Sequence, residues 1–291
     1  MKKFFCILLI SVLFVVSAFA ESEQTYGIPI DIDSVGSEPD PAGYTDDWTY
    51  SDPTISVSIT SGREGKCDYW IADITIADPS QLRTMAAGGF DSNAVTTGPS
   101  LSSRVNAVLA IDGDYFCYTG SGYIVRQGVE YKNILNGDRD VLAIDENGDF
   151  HVYYKAAQGD VGPEIDGKKN INTFYFGPVL IDNGVRVENP TGLNMASDEG
   201  RQRMALCQVG PLHYKAVCCA GPARGSYGMT LTEFSAFLET LGVNIAYNLD
   251  GGDSTMMIFR HKKINDVQNN STRKISDIIY FASAIGMSAG E

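Results

Sequence analysis

Short apolar runs that reverse at Asn-Gly, Asp-Gly or Gly-Pro pairs recur along most of this chain, and they commit it to hairpins. "VLAIDENGDFHVYY" reads as one hairpin turning at Glu146-Asn147-Gly148, and "PVLIDNGVRV" as another turning at Asn183-Gly184. "MALCQVGPLHYKAVCC" is a third, turning near Gly210-Pro211. Each flanks turn-forming residues with β-branched or aromatic residues, and in the first two the Asn-Gly pair tolerates a positive φ, a strong short-range hairpin signal. "TISVSIT" and "YWIADITIA" add further strands. One helix interrupts them: Thr230 and Glu233 form a capping box, Leu231, Phe234, Leu238 and Leu241 share a face, and Gly242 supplies the stop. The expected fold class is α+β, a large mixed, mostly antiparallel sheet with few packed helices in a single main domain.

The first residues point to export. Met1-Lys2-Lys3 is basic, Phe4 to Val16 is apolar, and Ala18-Phe19-Ala20 fits a small-x-small cleavage site. Residues 1–20 therefore read as a signal peptide cut after Ala20. The competing reading, an N-terminal membrane anchor, has only a short apolar run to span with. No later segment is apolar enough to cross a bilayer, so the mature protein is expected to be secreted or in the cell envelope, with no membrane span. Residues 21–62 hold nine acids and no Lys or Arg, so 21–50 is expected to be a flexible acidic leader and 51–291 the folded domain. The net charge of −14 becomes −16 once Lys2 and Lys3 are gone, the opposite of a nucleic-acid footprint. Oligomeric state is left open.

Five cysteines remain beyond the signal: Cys67, Cys117, Cys207, Cys218 and Cys219. Their number is odd, no CxxC occurs, and Cys218 and Cys219 point to opposite faces of one strand, so they read as small buried hydrophobes rather than zinc ligands. His151, His213 and His261 lie outside every motif, and Ser254 has no nucleophile-elbow glycines around it. Neither a Ser-His-Asp triad nor a histidine-rich zinc site is supported.

Two strand ends carry the chemistry. In "AYNLDGGDSTMM", an alternating run places Asn248 and Asp250 on one face, and the strand ends at Asp250. Gly251-Gly252 permits a sharp turn and close ligand approach, and Asp253, Ser254 and Thr255 open the next apolar run. Backbone N–H groups in such a turn can cradle an anion. "VLAIDGDYF" repeats the design at Asp112, Gly113 and Asp114. The bland alternative for each is a hairpin turn with incidental polar residues, and a third "AID" at Asp145, followed by Glu-Asn-Gly, reads that way. With both turns ending strands of the same sheet, Asp112 or Asp114 is expected to face Asp250 across one cleft.

"NLDGGDSTMM" resembles the signature of the phosphodiester glycosidase family, Asn-Leu-Asp-Gly-Gly followed by a small residue, Ser and Ser/Thr. "AIDGDYF", "FGPVLIDNG", "RMALCQV", "GMTLTEFSAFLETLG" and "NNSTRKISDIIYF" are similar to other family segments in the expected order, and the resemblance covers roughly residues 65 to 283. Three positions depart from the pattern: Asp112 stands for the usual Asn, Asp253 for a frequent Gly, and Cys207 for a Gly.

The resemblance implies hydrolysis of a sugar-1-phosphodiester to a free sugar and a phosphomonoester, on an envelope or extracellular glycopolymer. Carboxyl groups suit glycoside cleavage, which leaves Asp250, Asp112, Asp114 and Asp253 as catalytic candidates. Arg203, by its place in the family motif, and Arg224 are candidates for the substrate phosphate. Asn248, Gly251, Gly252, Ser254 and Thr255 complete the expected substrate-binding set. No cofactor is required, although clustered Asp and Asn could hold an optional Ca²⁺ or Mg²⁺. The alternatives are a non-catalytic carbohydrate- or Ca-binding surface protein on the same fold and a metal-dependent phosphodiesterase.

Overall fold

The hairpins close where the turn residues place them. Val179–Asp182 and Val185–Arg186 pair with Asp182 opposite Val185, which leaves Asn183 and Gly184 as the loop at φ of 50° and 74°. Two positive φ angles match the strand twist, and Asn-Gly adopts them cheaply. Val141–Asp145 pairs with Phe150–Tyr153, and Asp145 Oδ1 accepts from the N–H groups of Asn147 and Asp149, at 2.9 and 3.1 Å. The third "AID" is therefore hairpin chemistry, as its sequence suggests. Arg203–Gly210 and His213–Cys219 turn at Pro211-Leu212.

In this computed structural model the described residues are 30–190, 196–223, 225–265 and 273–287. The expected signal peptide lies outside them. The described strands pair antiparallel throughout. They divide mainly into an eight-stranded sheet, a five-stranded sheet and a four-stranded sheet, rather than one large sheet. Ile245–Asn248 lies inside the eight-stranded sheet, between Arg203–Gly210 and Val179–Asp182. Ala107–Asp112 lies at the centre of the five-stranded sheet, between Met257–Phe259 and Asp277–Ala282. The two Asp-Gly strand ends thus belong to different sheets, a correction to the same-sheet expectation.

The main core fills the space between these sheets. Leu109, Ile111, Ile279 and Phe281 pack there with Met204, Leu206 and Cys218. Ala107, Ala110, Ile278 and Tyr280 face a second cluster that includes Ile30, Leu101 and Val105. Both faces of the central strand are covered, which explains why "AVLAI" is a continuous apolar run and not an alternating one. The helix Leu231–Glu239 forms with its capping box, Thr230 Oγ1 accepting from Glu233 N at 3.1 Å, a cap worth roughly 1 kcal/mol. It sends Leu231, Phe234 and Leu238 into the main core. Among the described residues, no helix is long and apolar enough to cross a membrane.

The expectation of a flexible leader over 21–50 is corrected from Ile30 onward. Ile30 is buried, and Arg83 donates to the carbonyls of Ile30, Asp31, Ile32 and Ser34 at 2.7–3.4 Å. Composition misses this because the segment is held by its backbone carbonyls, which every residue carries whatever its side chain. Cys67, Cys207, Cys218 and Cys219 are free and buried, and Cys117 is free and partly exposed.

Candidate active site

The "DGGDS" turn carries the chain from one sheet to the other. Leu249 N still donates to Met204 O of the eight-stranded sheet, at 2.9 Å. Asp250 N then donates to Gly113 O at 3.2 Å, so the two Asp-Gly turns are hydrogen-bonded directly. A short 3₁₀ turn over Gly252–Ser254 follows, and Met257–Phe259 enters the five-stranded sheet beside Ala107–Asp112. Met256, between the two segments, ties them to Asp112, its carbonyl taking Asp112 N at 3.2 Å and its N–H donating to Asp112 Oδ1 at 2.7 Å.

One narrow pocket opens at this seam, lined by Asp112, Asp250, Asp277 and Ser254, with Tyr115 and Arg273 on its wall. Of the two acids expected to face Asp250, Asp112 lines the pocket with it and Asp114 does not. Asp277 is the residue that sequence reasoning missed. It heads the strand Asp277–Ala282, whose Ile278 pairs with Asp112. Gly113 N donates to Asp277 O at 3.2 Å, and a Cβ on Gly113 would lie 2.2 Å from Asp277 Oδ2. Gly113 is required because the Asp277 carboxyl occupies the space of its missing side chain.

The three carboxyls differ in environment. Asp112 is fully buried, and its Oδ2 has no hydrogen-bond partner. Burial pushes its pKa well above the ordinary carboxylate range, against the Met256 N–H, with Asp250 and Asp277 adding repulsion. Asp277 is pushed up to about 7 by burial and by Asp114, with Arg126 and Ser276 pulling the other way. Its Oδ1 accepts from Ser276 Oγ at 2.8 Å, and its Oδ2 has no hydrogen-bond partner. Asp250 is only partly buried and takes its own Gly251 N–H at 2.8 Å. Burial raises its pKa as well, opposed by Ser254, by that N–H and by Arg273. Two sealed carboxyls biased toward the acid and a more open one beside an arginine can serve as proton donor and base in one site.

Several predicted residues lie elsewhere. Asp114 is buried and turned inward, accepting from Arg126 Nη2 and from Tyr175 N, each at 2.9 Å. Arg126 sits over the rings of Phe174 and Phe90 and also donates to the Val125 and Thr173 carbonyls. Asp253 is exposed at the surface of the 3₁₀ turn. Asn248 is buried, with Nδ2 donating to Gly177 O at 2.8 Å. Thr255 is buried with an unpartnered Oγ1.

The turn itself is not an anion cradle. Gly251 N–H goes to Asp250 Oδ1, Gly252 N–H to Gln202 O, and the N–H groups of Ser254 and Thr255 to carbonyls within the turn. Gly252 has a φ of +59°, whereas Gly251 lacks a side chain because Gln202 O would stand 2.9 Å from its Cβ. A neighbouring strand, rather than a ligand, explains that close approach.

Arg203 is corrected in position. Its guanidinium is buried and donates to the carbonyls of Met229, Ala196 and Glu199 at 2.8–3.0 Å, holding loops together outside the pocket. Arg224 lies outside the described residues. Among the described residues, no group of three or more His, Cys, Asp or Glu side chains is disposed to hold a metal ion.

The positive charge at the pocket comes instead from Arg273, in the closing segment "STRKISDIIYF". Its Nη2 donates to Tyr115 Oη at 3.3 Å. Neither Arg273 nor Asp277 ends an apolar strand before a glycine, so neither carries a local mark in the sequence.

A phosphodiester glycosidase family model matches residues 105–282 of this chain, which include every residue of the pocket. No curated protein matches by sequence. Among solved structures, the chain is similar to the zebrafish N-acetylglucosamine-1-phosphodiester alpha-N-acetylglucosaminidase catalytic domain auto-inhibited by its pro-peptide. That match has a TM-score of 0.63 and 15% identity, and it covers 85% of this chain and 86% of the other. A hypothetical protein from Synechocystis matches with a TM-score of 0.53 and 15% identity, over 78% of this chain and 62% of that one. At these identities the structural matches speak for the fold.

Proposed function

Because this chain belongs to the phosphodiester glycosidase family, we infer that it hydrolyses the glycosidic bond of a sugar-1-phosphodiester, yielding a free sugar and a phosphomonoester. The observation that carries this reading is the meeting of Asp112, Asp250 and Asp277 in one pocket, with their carboxyls in unequal environments. Water adds to the anomeric carbon as the bond from that carbon to the phosphate oxygen breaks, and the phosphomonoester departs with both electrons of that bond. Asp277, held near pH 7 by burial, is suited to supply a proton to the departing oxygen. A phosphomonoester has its second pKa at about 6, so donor and acceptor are closely matched. Asp250, beside Arg273 and open to the pocket mouth, is suited to act as the carboxylate on the anomeric carbon, as base or nucleophile. Asp112 accepts from the Met256 N–H and keeps an acid-biased carboxyl against the other two.

The proposed substrate is a phosphodiester-linked glycan of the envelope or the extracellular space, reached through export directed by residues 1–20. Product analysis on a panel of sugar phosphodiesters, with and without chelator, tests the reading. Free sugar plus phosphomonoester supports it. Sugar-1-phosphate plus alcohol would assign a phosphodiesterase, and no turnover would favour a binding protein.

A further inference from the structure

The mouth of the pocket carries two adjacent positive charges. Arg273 and Lys274 are both exposed, both line the pocket, and among the described residues neither forms an ion pair. In a chain of net charge −14, two adjacent cations stand at a pocket that also holds three carboxyls, and Arg273 draws on one of them, Asp250. Arg273 is also mounted. Its Cζ lies 5.2 Å from the centre of the Tyr115 ring and 5.9 Å from that of Tyr118, and the two rings stack 4.2 Å apart at 25°. Tyr115 adopts a φ of 66°, a left-handed conformation that is costly for a bulky side chain and that clusters at functional sites.

We propose that Arg273, with Lys274 beside it, binds the phosphoryl group of the substrate and that the Tyr115–Tyr118 stack is the mount that positions it. This rests on the glycosyl phosphodiester reading above. A phosphodiester enters with a single negative charge, and cleavage places a second on the departing oxygen until the Asp277 proton reaches it. Contacts from a fixed cation therefore strengthen as the glycosidic bond breaks, which lowers the barrier rather than only tightening binding. A ring engages the face of a guanidinium, whereas hydrogen bonds leave through its edge, so the mount does not compete with a phosphate for the remaining N–H groups. The role expected of Arg203 falls to an arginine that actually lines the pocket.

The test is calorimetric titration of methyl phosphate and of a neutral methyl glycoside into the full protein. Wild type is compared with Arg273→Ala, Arg273→Lys, Lys274→Ala and Tyr115→Phe, with kcat and KM on a glycosyl phosphodiester measured alongside. Arg273→Ala is expected to weaken methyl phosphate at least about tenfold and leave the neutral glycoside unchanged. Arg273→Lys falls between, because it keeps the charge and loses the fork. Tyr115→Phe, which loses only the hydroxyl that positions Arg273, is expected to lower kcat more than it raises KM. Equal methyl phosphate affinity in wild type and Arg273→Ala, or no binding by wild type, overturns the proposal. If Arg273-dependent binding stands while no phosphodiester is cleaved, the glycosidase reading fails and the anion site survives. Wild-type cleavage rates in Arg273→Ala give the reverse.

Discussion

Asp277 Oδ2 stands 3.8 Å from Arg126 Nη2, the same nitrogen that Asp114 Oδ1 accepts from at 2.9 Å, and all three side chains are sealed from solvent. Asp114 holds the closer claim on the cation. Asp277 feels the arginine at longer range, and burial outweighs it.

A pH profile follows from that arrangement. With Asp277 as donor, turnover should fall as pH rises through about 7, and Asp277→Asn should remove this limb while slowing turnover by about 10²- to 10⁴-fold. The same group acts on stability. Its folded pKa is raised above the ordinary 3.8, so its contribution is fully present below about pH 4 and is lost as pH rises toward 7. Thermal melts between pH 4 and 8 should show wild type losing more stability over that window than Asp277→Asn.

Arg126 should have two separable effects. Arg126→Gln leaves Asp114 buried without its cation, a loss of roughly 3–5 kcal/mol by denaturant unfolding. Replacing Asp114 with Asn in the same chain should return part of it. In whatever fraction folds, the alkaline limb of activity should move upward, because Arg126 is what holds the Asp277 pKa down. A limb that stays in place would separate Asp277 from the titration.

Asp250→Asn should abolish turnover and leave the fold intact. The backbone N–H of residue 250 still donates to Gly113 O, and an amide oxygen can take the Gly251 N–H that Oδ1 now accepts. Loss of activity by at least about 10³-fold with an unchanged circular dichroism spectrum is the expected pair of results. Wild-type rates would make Asp250 a turn residue.

Arg203→Ala should read out in stability. It strips the carbonyls of Met229, Ala196 and Glu199 of their donor, each worth about 1 kcal/mol or more, so a Tm drop on the order of 10 °C is expected. Per folded molecule, methyl phosphate affinity should be unchanged. A selective loss of phosphate binding would restore Arg203 to the substrate.

The hairpins and the capped helix were legible because turn and cap chemistry is local: Asn183-Gly184 and Thr230/Glu233 specify their own geometry. Asp112 and Asp250 were legible as acids ending apolar strands before glycine. Asp277 carries no such mark, since it opens an apolar run and is followed by Ile278; only the pairing of its strand with Ala107–Asp112 makes it a site residue. Asp114 misled for a related reason. Its spacing of two from Asp112 suggests a shared face, but the chain leaves the strand at Gly113 and Asp114 swings inward to Arg126. The anchoring of residues 30–34 was hidden because Arg83 reads carbonyls and not side chains.

The passage of the chain from one sheet to the other at Asp250–Ser254 makes the reacting geometry a property of how two slabs are registered. Asp112 and Asp277 ride on one slab, and Asp250 is the last residue to leave the other. A slip between them of even an ångström would part the proposed proton donor from its partner while leaving every ladder bond within each sheet intact. Substitutions in the packing between the slabs, at Met204 or Ile111 for instance, should thus be able to silence the proposed activity without unfolding the protein.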